Sequence, residues 1–370
     1  MDLSAADLLE RLVAFPSVVG TPNDELMAFV AEYLAAHDVP YTLLQGPEGD
    51  RSNLFATIGD ASRPGYILSG HVDVVPAQEP EWQGDPFVMR RVDGRMIGRG
   101  CCDMKGYVAA VLAAVPALRR MTLSAPIHIA LSYDEEAGCR GVPHMLAALP
   151  DLCAAPLGCI VGEPTGMVPV LAHKGKSALR LTAGGRGGHS SRPDLGSNAI
   201  HSLLPALEAA VAQAAALQTG PQDDRFAPPY STLQVGTIRG GQAINIIPET
   251  AVAEIEARAI AGVDPKALLE PVLSVLGADV QADWLSSYPA LALEADHPLV
   301  GLVVGISGNT SLGAVSFGTE AGLFQKAGVP AIICGPGDIA RAHRPEEYLT
   351  EAELAAAGEM ILALGRFLLV

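Results

Sequence analysis

Tyr66-Ile67-Leu68-Ser69-Gly70-His71-Val72-Asp73 is an apolar, strand-like run that ends in an imidazole and a carboxylate. The same construction recurs along the chain. The 127–132 run leads into Asp134-Glu135-Glu136, the 159–161 run into Gly162-Glu163-Pro164, and the 331–334 run, after a short loop, into Ala342-His343-Arg344-Pro345. Gly100-Cys101-Cys102-Asp103-Met104-Lys105-Gly106 adds a further carboxylate just ahead of a helical pattern. Ligands of open α/β sheets bind in the crevice outside the carboxyl ends of the strands, so five sequence-distant segments converge on one edge. A lone Asp or Glu is most often a solvated or capping group, but their joint occurrence with His at strand ends points to a site. Two His and several Asp/Glu with no paired Cys motif suit a borderline-hard divalent ion, zinc or cobalt. The pattern predicts a metallohydrolase.

Around these motifs, residues 1–175 alternate helical stretches (4–15, 22–37, 105–119, 141–149) with strand-like runs (41–44, 54–58, 66–68, 127–132, 159–161). This alternation predicts an α/β domain with a mostly parallel sheet flanked by helices. It resumes over 288–370, with a strand at 331–334 and a terminal helix from 351 to about 369. Residues 176–287 read differently: strand 177–183, helix 198–215, strands 232–239 and 251–260, helix 264–276, strand 279–284. That β-α-β-β-α-β order is ferredoxin-like and predicts an inserted α+β domain.

The chain has 370 residues, enough for two cores, with 49% hydrophobic and 18% charged residues, a globular composition. A formal net charge of −17 argues against nucleic acid as a partner. No run reaches the roughly 18 apolar residues of a membrane span, and the start reads as a helix N-capped by Ser4 rather than a leader. A cytoplasmic protein is expected. The six cysteines form no disulfide framework and are expected to be reduced; Cys101 and Cys102, beside Asp103, leave open a thiolate ligand to zinc.

These motifs resemble the M20 family of dinuclear zinc hydrolases along nearly the whole chain. The resemblance implies a zinc-exopeptidase-like catalytic domain, and two divalent ions, zinc with cobalt as the alternative. His71 binds one ion, Asp103 bridges both, Glu136 and Glu163 bind one each, and His343 completes the set. It also implies that Asp73 orients His71, that Glu135 is the general acid/base, and that the Asp103–Met104 peptide is cis. His189, in Gly187-Gly188-His189-Ser190-Ser191, corresponds to a histidine that reaches the active site of a partner subunit, which implies a homodimer through the inserted dimerisation/lid domain; the other reading of His189 is a loop-stabilising imidazole.

Within the family, Ser132-Tyr133-Asp134-Glu135-Glu136-Ala137-Gly138-Cys139, Gly318-Thr319-Glu320-Ala321-Gly322 and Cys334-Gly335-Pro336-Gly337-Asp338-Ile339 look most like acetylornithine deacetylases. The implied reaction is hydrolysis of Nα-acetyl-L-ornithine, a small-molecule N-acyl amino acid of arginine biosynthesis. Acetylcitrulline, succinyl-diaminopimelate or a dipeptide is the alternative substrate. Desuccinylases of the family usually carry Ser-Asp-Gly after the Gly-Thr, which makes Glu320 the candidate for favouring a cationic side chain; a helix N-terminal acid is its other reading. Asn245 and Arg258 correspond to positions near the substrate carboxylate, a task suited to a guanidinium, although a strand-surface salt bridge explains Arg258 equally well. Cys101-Cys102 departs from the small residues usual there. A non-catalytic metal-binding scaffold would lack Glu135, and a dinucleotide-binding protein would need its Gly-rich turn after the first strand; neither fits.

Overall fold

The computed structural model describes residues 2–370. The chain divides into two compact units, one built from Met1–Leu171, Ala292–Gly313 and Thr319–Val370, the other from Ala172–Leu291 with Ala314–Gly318.

The first unit is organised by a nine-stranded sheet whose order runs Tyr41–Gln45, Ser52–Ile58, Ile127–Ser132, Tyr66–His71, Gly158–Pro164, Ala331–Gly335 and on to Val170–His173. Its four central strands, from Ile127–Ser132 to Ala331–Gly335, are parallel to one another, and the strands outside them join antiparallel. The central strands are buried along their length, as strands covered on both faces must be, and so they read as continuous apolar runs.

Helix Lys105–Arg119 packs beneath the sheet centre, between helices Ala5–Val13 and Glu351–Phe367. Its first side chain, Lys105, is fully buried and donates from Nζ to the carbonyls of Leu12 (2.9 Å) and Phe15 (2.8 Å). A lysine thus adds a second donor to carbonyls at the end of the first helix that already accept the Phe15 and Ser17 amides. Ser4 caps that first helix by accepting from the Asp7 amide, and Thr350 with Glu353 forms a capping box at the start of the last.

The second unit is a four-stranded antiparallel sheet in the order Thr232–Gly240, Thr250–Ala259, Gly175–Gly184, Val280–Tyr288. Numbered within the unit, this is 2-3-1-4, the ferredoxin-like arrangement. Leu179, Leu181, Ala253, Ile255 and Ala257 pack against Ala199, Leu203, Ala206 and Ala210 of the long helix Ala199–Leu217.

One sequence expectation is corrected, and two features stand beside it. The helix over 264–276 is instead a 3₁₀ turn at Ala267–Leu269 followed by one helical turn, Glu270–Leu273; Pro271 lacks the amide that a continuing helix needs. Ala199–Leu217 is long and apolar enough, by length and composition, to cross a membrane. Pro205, Glu208 and Gln213 break its apolar run, so a count of consecutive residues passes over it. A three-stranded sheet of Arg90–Val92, Arg95–Ile97 and Tyr348–Thr350 is built from strands too short to carry a period.

One glycine connects this packing to the site. A Cβ on Gly162 would lie 2.0 Å from Cγ of the Tyr107 ring, which is itself fully buried. Gly162→Ala should therefore destabilise the protein by about 1–3 kcal/mol or more, as overpacked cores do. Urea unfolding measures this, and the adjacent Glu163 should lose metal affinity in the same variant.

Candidate active site

The strand ends deliver their side chains to one place. His71 closes Tyr66–His71, Glu163 is the penultimate residue of Gly158–Pro164, and Glu135 and Glu136 follow Ile127–Ser132 by three and four residues. Asp103 precedes helix Lys105–Arg119, and the Asp103–Met104 peptide is cis. His343 follows the 3₁₀ turn Ile339–Arg341 beyond Ala331–Gly335.

His71 Nε2 lies 3.1 Å from Asp103 Oδ1 and 3.6 Å from Glu163 Oε1. His343 Nε2 lies 2.9 Å from Glu136 Oε1 and 3.4 Å from Asp103 Oδ2. Asp103 therefore offers one oxygen to each imidazole. Ligand atoms of His71, Glu135 and Glu163, and of His71, Asp103 and Glu136, form two groups whose members lie within 4.8 Å of one another.

Asp73 works differently from expectation. The nearest acceptor for His71 Nδ1 is the backbone oxygen of Asp73, at 2.9 Å, while its carboxylate Oδ1 stands 3.5 Å away. That carboxylate accepts the amides of Glu135 and Glu136, each at 3.1 Å. Asp73 thus fixes the imidazole through its main chain and seats the acidic turn through its side chain. The same turn is clamped from beyond by Asp134, which accepts from the Gly20 amide (2.8 Å) and Arg51 Nη1 (2.6 Å).

Burial sets the electrostatics. It pushes the Glu135 carboxyl up to about 8, with Glu136, Asp73 and Asp103 adding to the rise against His71. Burial likewise raises Glu136, and raises Glu163 well above the usual carboxylate range, with Asp103 adding to both. For Asp103 burial works upward too, but the hydrogen bonds of His343 and His71 outweigh it and hold the carboxyl low. Asp103 and then Glu136 raise His343 to about 10. His71 is raised well above its ordinary value, the bonds to Asp103 and Asp73 prevailing over burial.

Four carboxylates around two imidazoles, most of them buried, carry more negative charge than the imidazoles can balance. A divalent cation removes that excess, and the imidazole–carboxylate donor set is the chemistry such ions take. The residues fit the metal. The thiolate alternative does not: Cys101 is packed into the main hydrophobic core, and Cys102 Sγ lies 3.5 Å from the Asp338 carbonyl.

Two contributors escaped the sequence reading. Glu347 is 1% exposed along its side chain, and its Oε1 accepts the amides of Cys102 (2.9 Å) and Asp103 (3.0 Å). Its Oε2 pairs with Arg99 Nη1 at 2.8 Å, also 1% exposed. The only sequence signal was an acid four residues after His343. Cys139, whose thiol lies 3.2 Å from Glu135 Oε1, is the other.

The remaining predicted residues lie elsewhere. Glu320 is fully buried and accepts from Ser69 Oγ (2.5 Å) and Ser132 Oγ (2.6 Å). Its carboxylate ties two sheet strands together, so the expectation that it meets a cationic substrate group is corrected. Thr319 is buried, with Oγ1 accepting from the Ala321 amide. His189 and Asn245 line a cavity of about 450 Å³ in the second unit, where His189 Nδ1 accepts from Ser191. Arg258 pairs with Glu256 (2.7 Å) and donates to the Tyr288 hydroxyl (3.3 Å), and Gly318 packs against that same tyrosine ring.

A buried imidazole–carboxylate cluster at the carboxyl edge of a parallel sheet centre, with an additional carboxyl held protonatable beside it, is the site of a metal-dependent hydrolase. The chain belongs to peptidase family M20/M25/M40, whose family model matches residues 67–366, and it is a metal-dependent amidohydrolase. It is 31% identical to an acetylornithine deacetylase from Proteus mirabilis, over 96% of this chain and 94% of that enzyme. It is 32% identical to an acetylornithine deacetylase from Yersinia pseudotuberculosis, over 96% and 95%. Among solved structures, an M20 family metallo-carboxypeptidase from Sulfolobus solfataricus shares the fold with a TM-score of 0.81 at 18% identity, covering 98% of both chains. A dinuclear metal-binding M20 peptidase from Bacillus subtilis does so with a TM-score of 0.65 at 15% identity, covering 99% and 97%.

Two outcomes follow. Glu347→Gln leaves buried Arg99 with only the longer 3.4 Å contact to Glu79 as counter-charge and loosens the Asp103 amide; unfolding free energy should drop by about 3 kcal/mol, and metal affinity, read by competition with a chromogenic chelator, by roughly 10–100-fold. Second, the raised carboxyls and imidazoles retain protons that a metal ion must displace. Metal affinity should therefore rise with pH from about 5 to about 10, the value to which His343 is raised, by about tenfold per pH unit for each proton released. Groups with raised pKa values stabilise the chelated protein at low pH, and that contribution is lost as pH rises. The gap in melting temperature between loaded and chelated protein should widen over this window in differential scanning fluorimetry.

Proposed function

We propose that the protein hydrolyses Nα-acetyl-L-ornithine to L-ornithine and acetate with two divalent ions, zinc or cobalt, held by His71, Asp103, Glu136, Glu163 and His343. The observation that carries the reaction type is Glu135, a buried carboxyl raised to about 8 and grouped with His71 and Glu163. When bound, such ions bring the pKa of a water toward neutrality and polarise the scissile carbonyl. Glu135 takes the proton of the attacking water and passes it to the leaving amine, and a base titrating near 8 suits both transfers at neutral pH. Asp73 holds Glu135 in place through its amide and fixes the tautomer of His71.

The substrate rests on the likeness to acetylornithine deacetylases. In this reading Asn245 and Arg258 bind the substrate carboxylate, Gly318 and Thr319 shape the approach to it, and His189 completes the oxyanion site of the second subunit of a homodimer formed through the inserted lid domain. A cytoplasmic setting agrees with six free cysteines.

Amine release from Nα-acetyl-L-ornithine by zinc- or cobalt-loaded protein, beside acetylcitrulline, succinyl-diaminopimelate and a dipeptide, tests both levels. Acetylornithine should be preferred, with turnover abolished by chelation and reduced by roughly 10²–10⁴-fold in Glu135→Gln. Metal-dependent turnover of another substrate alone would sink the acetylornithine reading and keep the chemistry.

A further inference from the structure

The first unit holds a second concave site, at the three-stranded sheet formed by Arg90–Val92, Arg95–Ile97 and Tyr348–Thr350. A cavity of about 490 Å³ is lined there by Gln83, Arg95, Arg341, Arg344, Glu346 and Tyr348, and by none of the metal-binding side chains. The strand register sets Tyr348 opposite Ile97 and Thr350 opposite Arg95. The Tyr348 ring receives two guanidinium groups, Arg95 with Cζ 4.6 Å from its centroid and Arg341 at 4.5 Å. Stacking on an aromatic face orients a guanidinium and leaves its in-plane donors free.

The local charges do not cancel. Both oxygens of Glu353 lie 2.8 Å from Arg341 Nη1. Glu346, the one acid of the lining, is taken by Arg90 Nη2 (2.5 and 2.6 Å) and the Gln83 amide (2.9 Å). Arg95 and Arg344 have no carboxylate within ion-pair distance among the described residues. Two uncompensated guanidinium groups thus share one pocket of a chain whose formal net charge is −17, which offers a surplus of acids to pair with them.

We propose that this pocket binds a small dianion, a phosphate monoester or a dicarboxylate, gripped by Arg95 and Arg344 with Arg341 alongside. A planar fork of N–H donors matches the paired oxygens of such groups. Arg341 and Arg344 bracket His343, so the bound anion ties the strand carrying Arg95 to the segment carrying a metal ligand. The site stands apart from the acetylornithine reading and survives if that substrate is wrong.

Isothermal titration of the metal-loaded protein with inorganic phosphate and, separately, with succinate tests the site and separates the two ligand sources. Arg95→Gln should weaken binding of the preferred anion by about tenfold or more, and Arg95→Lys by less. Glu346→Gln, which removes the only acid of the lining, should tighten it. These opposite signs cannot both arise from a damaged fold, and metal content and turnover in Arg95→Gln should match the parent. Equal affinity of parent and Arg95→Gln for both anions would place the ions on the metal centre and overturn the proposal, as would no binding of either below about 10 mM, a few kcal/mol of binding free energy.

Discussion

The active end of this molecule depends on the position of one carboxylate. Asp103 presents an oxygen to His71 and an oxygen to His343, side chains from segments separated by most of the chain. Nothing in its own sequence neighbourhood could hold it there, because it lies in a turn ahead of a helix rather than on a strand. Its placement is inherited from Glu347, which accepts its amide and that of Cys102, and Glu347 is tolerable in the interior only because Arg99 neutralises it. Breaking such a buried pair leaves a bare charge, so the pair acts as a single unit. The helix on the other side is fixed by Lys105, anchored to the carbonyls of Leu12 and Phe15. Asp103 is thus held through two buried basic side chains, Arg99 by way of Glu347 and Lys105 by way of the helix.

The same logic explains why so many acids gather in a place that disfavours them. Burial raises Glu135, Glu136 and Glu163 together, a sign that the protein alone does not balance the charge it has assembled. A site that binds divalent ions must be unsatisfied in their absence, because ligands fully paired with protein cations would have nothing left to offer. Most of the set would bind ions. Glu135, with its amide on Asp73 and a thiol against Oε1, is held beside them.

Much of this was legible in the sequence, for a physical reason. Strands covered on both faces must be apolar throughout, so Ile127–Ser132 or Tyr66–His71 declares itself, and the polar residues at its end stand out by contrast. His71, Glu135, Glu136, Glu163 and, a short loop beyond its strand, His343 were singled out that way, Asp103 by its place just ahead of a helical pattern, and their separate roles by the motif resemblance. What escaped depends on contacts between distant positions. Glu347 looks like a surface acid until Arg99 is seen beside it, and Glu320 looks like a substrate contact until Ser69 and Ser132 are seen to close on it. The role of the Asp73 main chain, whose carbonyl is nearer to His71 than its carboxylate, is invisible in any reading that considers only side chains.

The burial of Glu320 also bears on how one scaffold serves different N-acyl substrates. A carboxylate that joins Ser69 on one central strand to Ser132 on its neighbour braces the two strands that present His71 and the Glu135 turn. An acid at this position therefore braces the sheet edge from which those side chains project. Discrimination among acylated amino acids then has to come from groups that approach the substrate beyond the reacting amide. Binding sites reject analogues most strongly where their own polar groups would be left unpaired, whereas Arg258 is already shared between Glu256 and the Tyr288 hydroxyl.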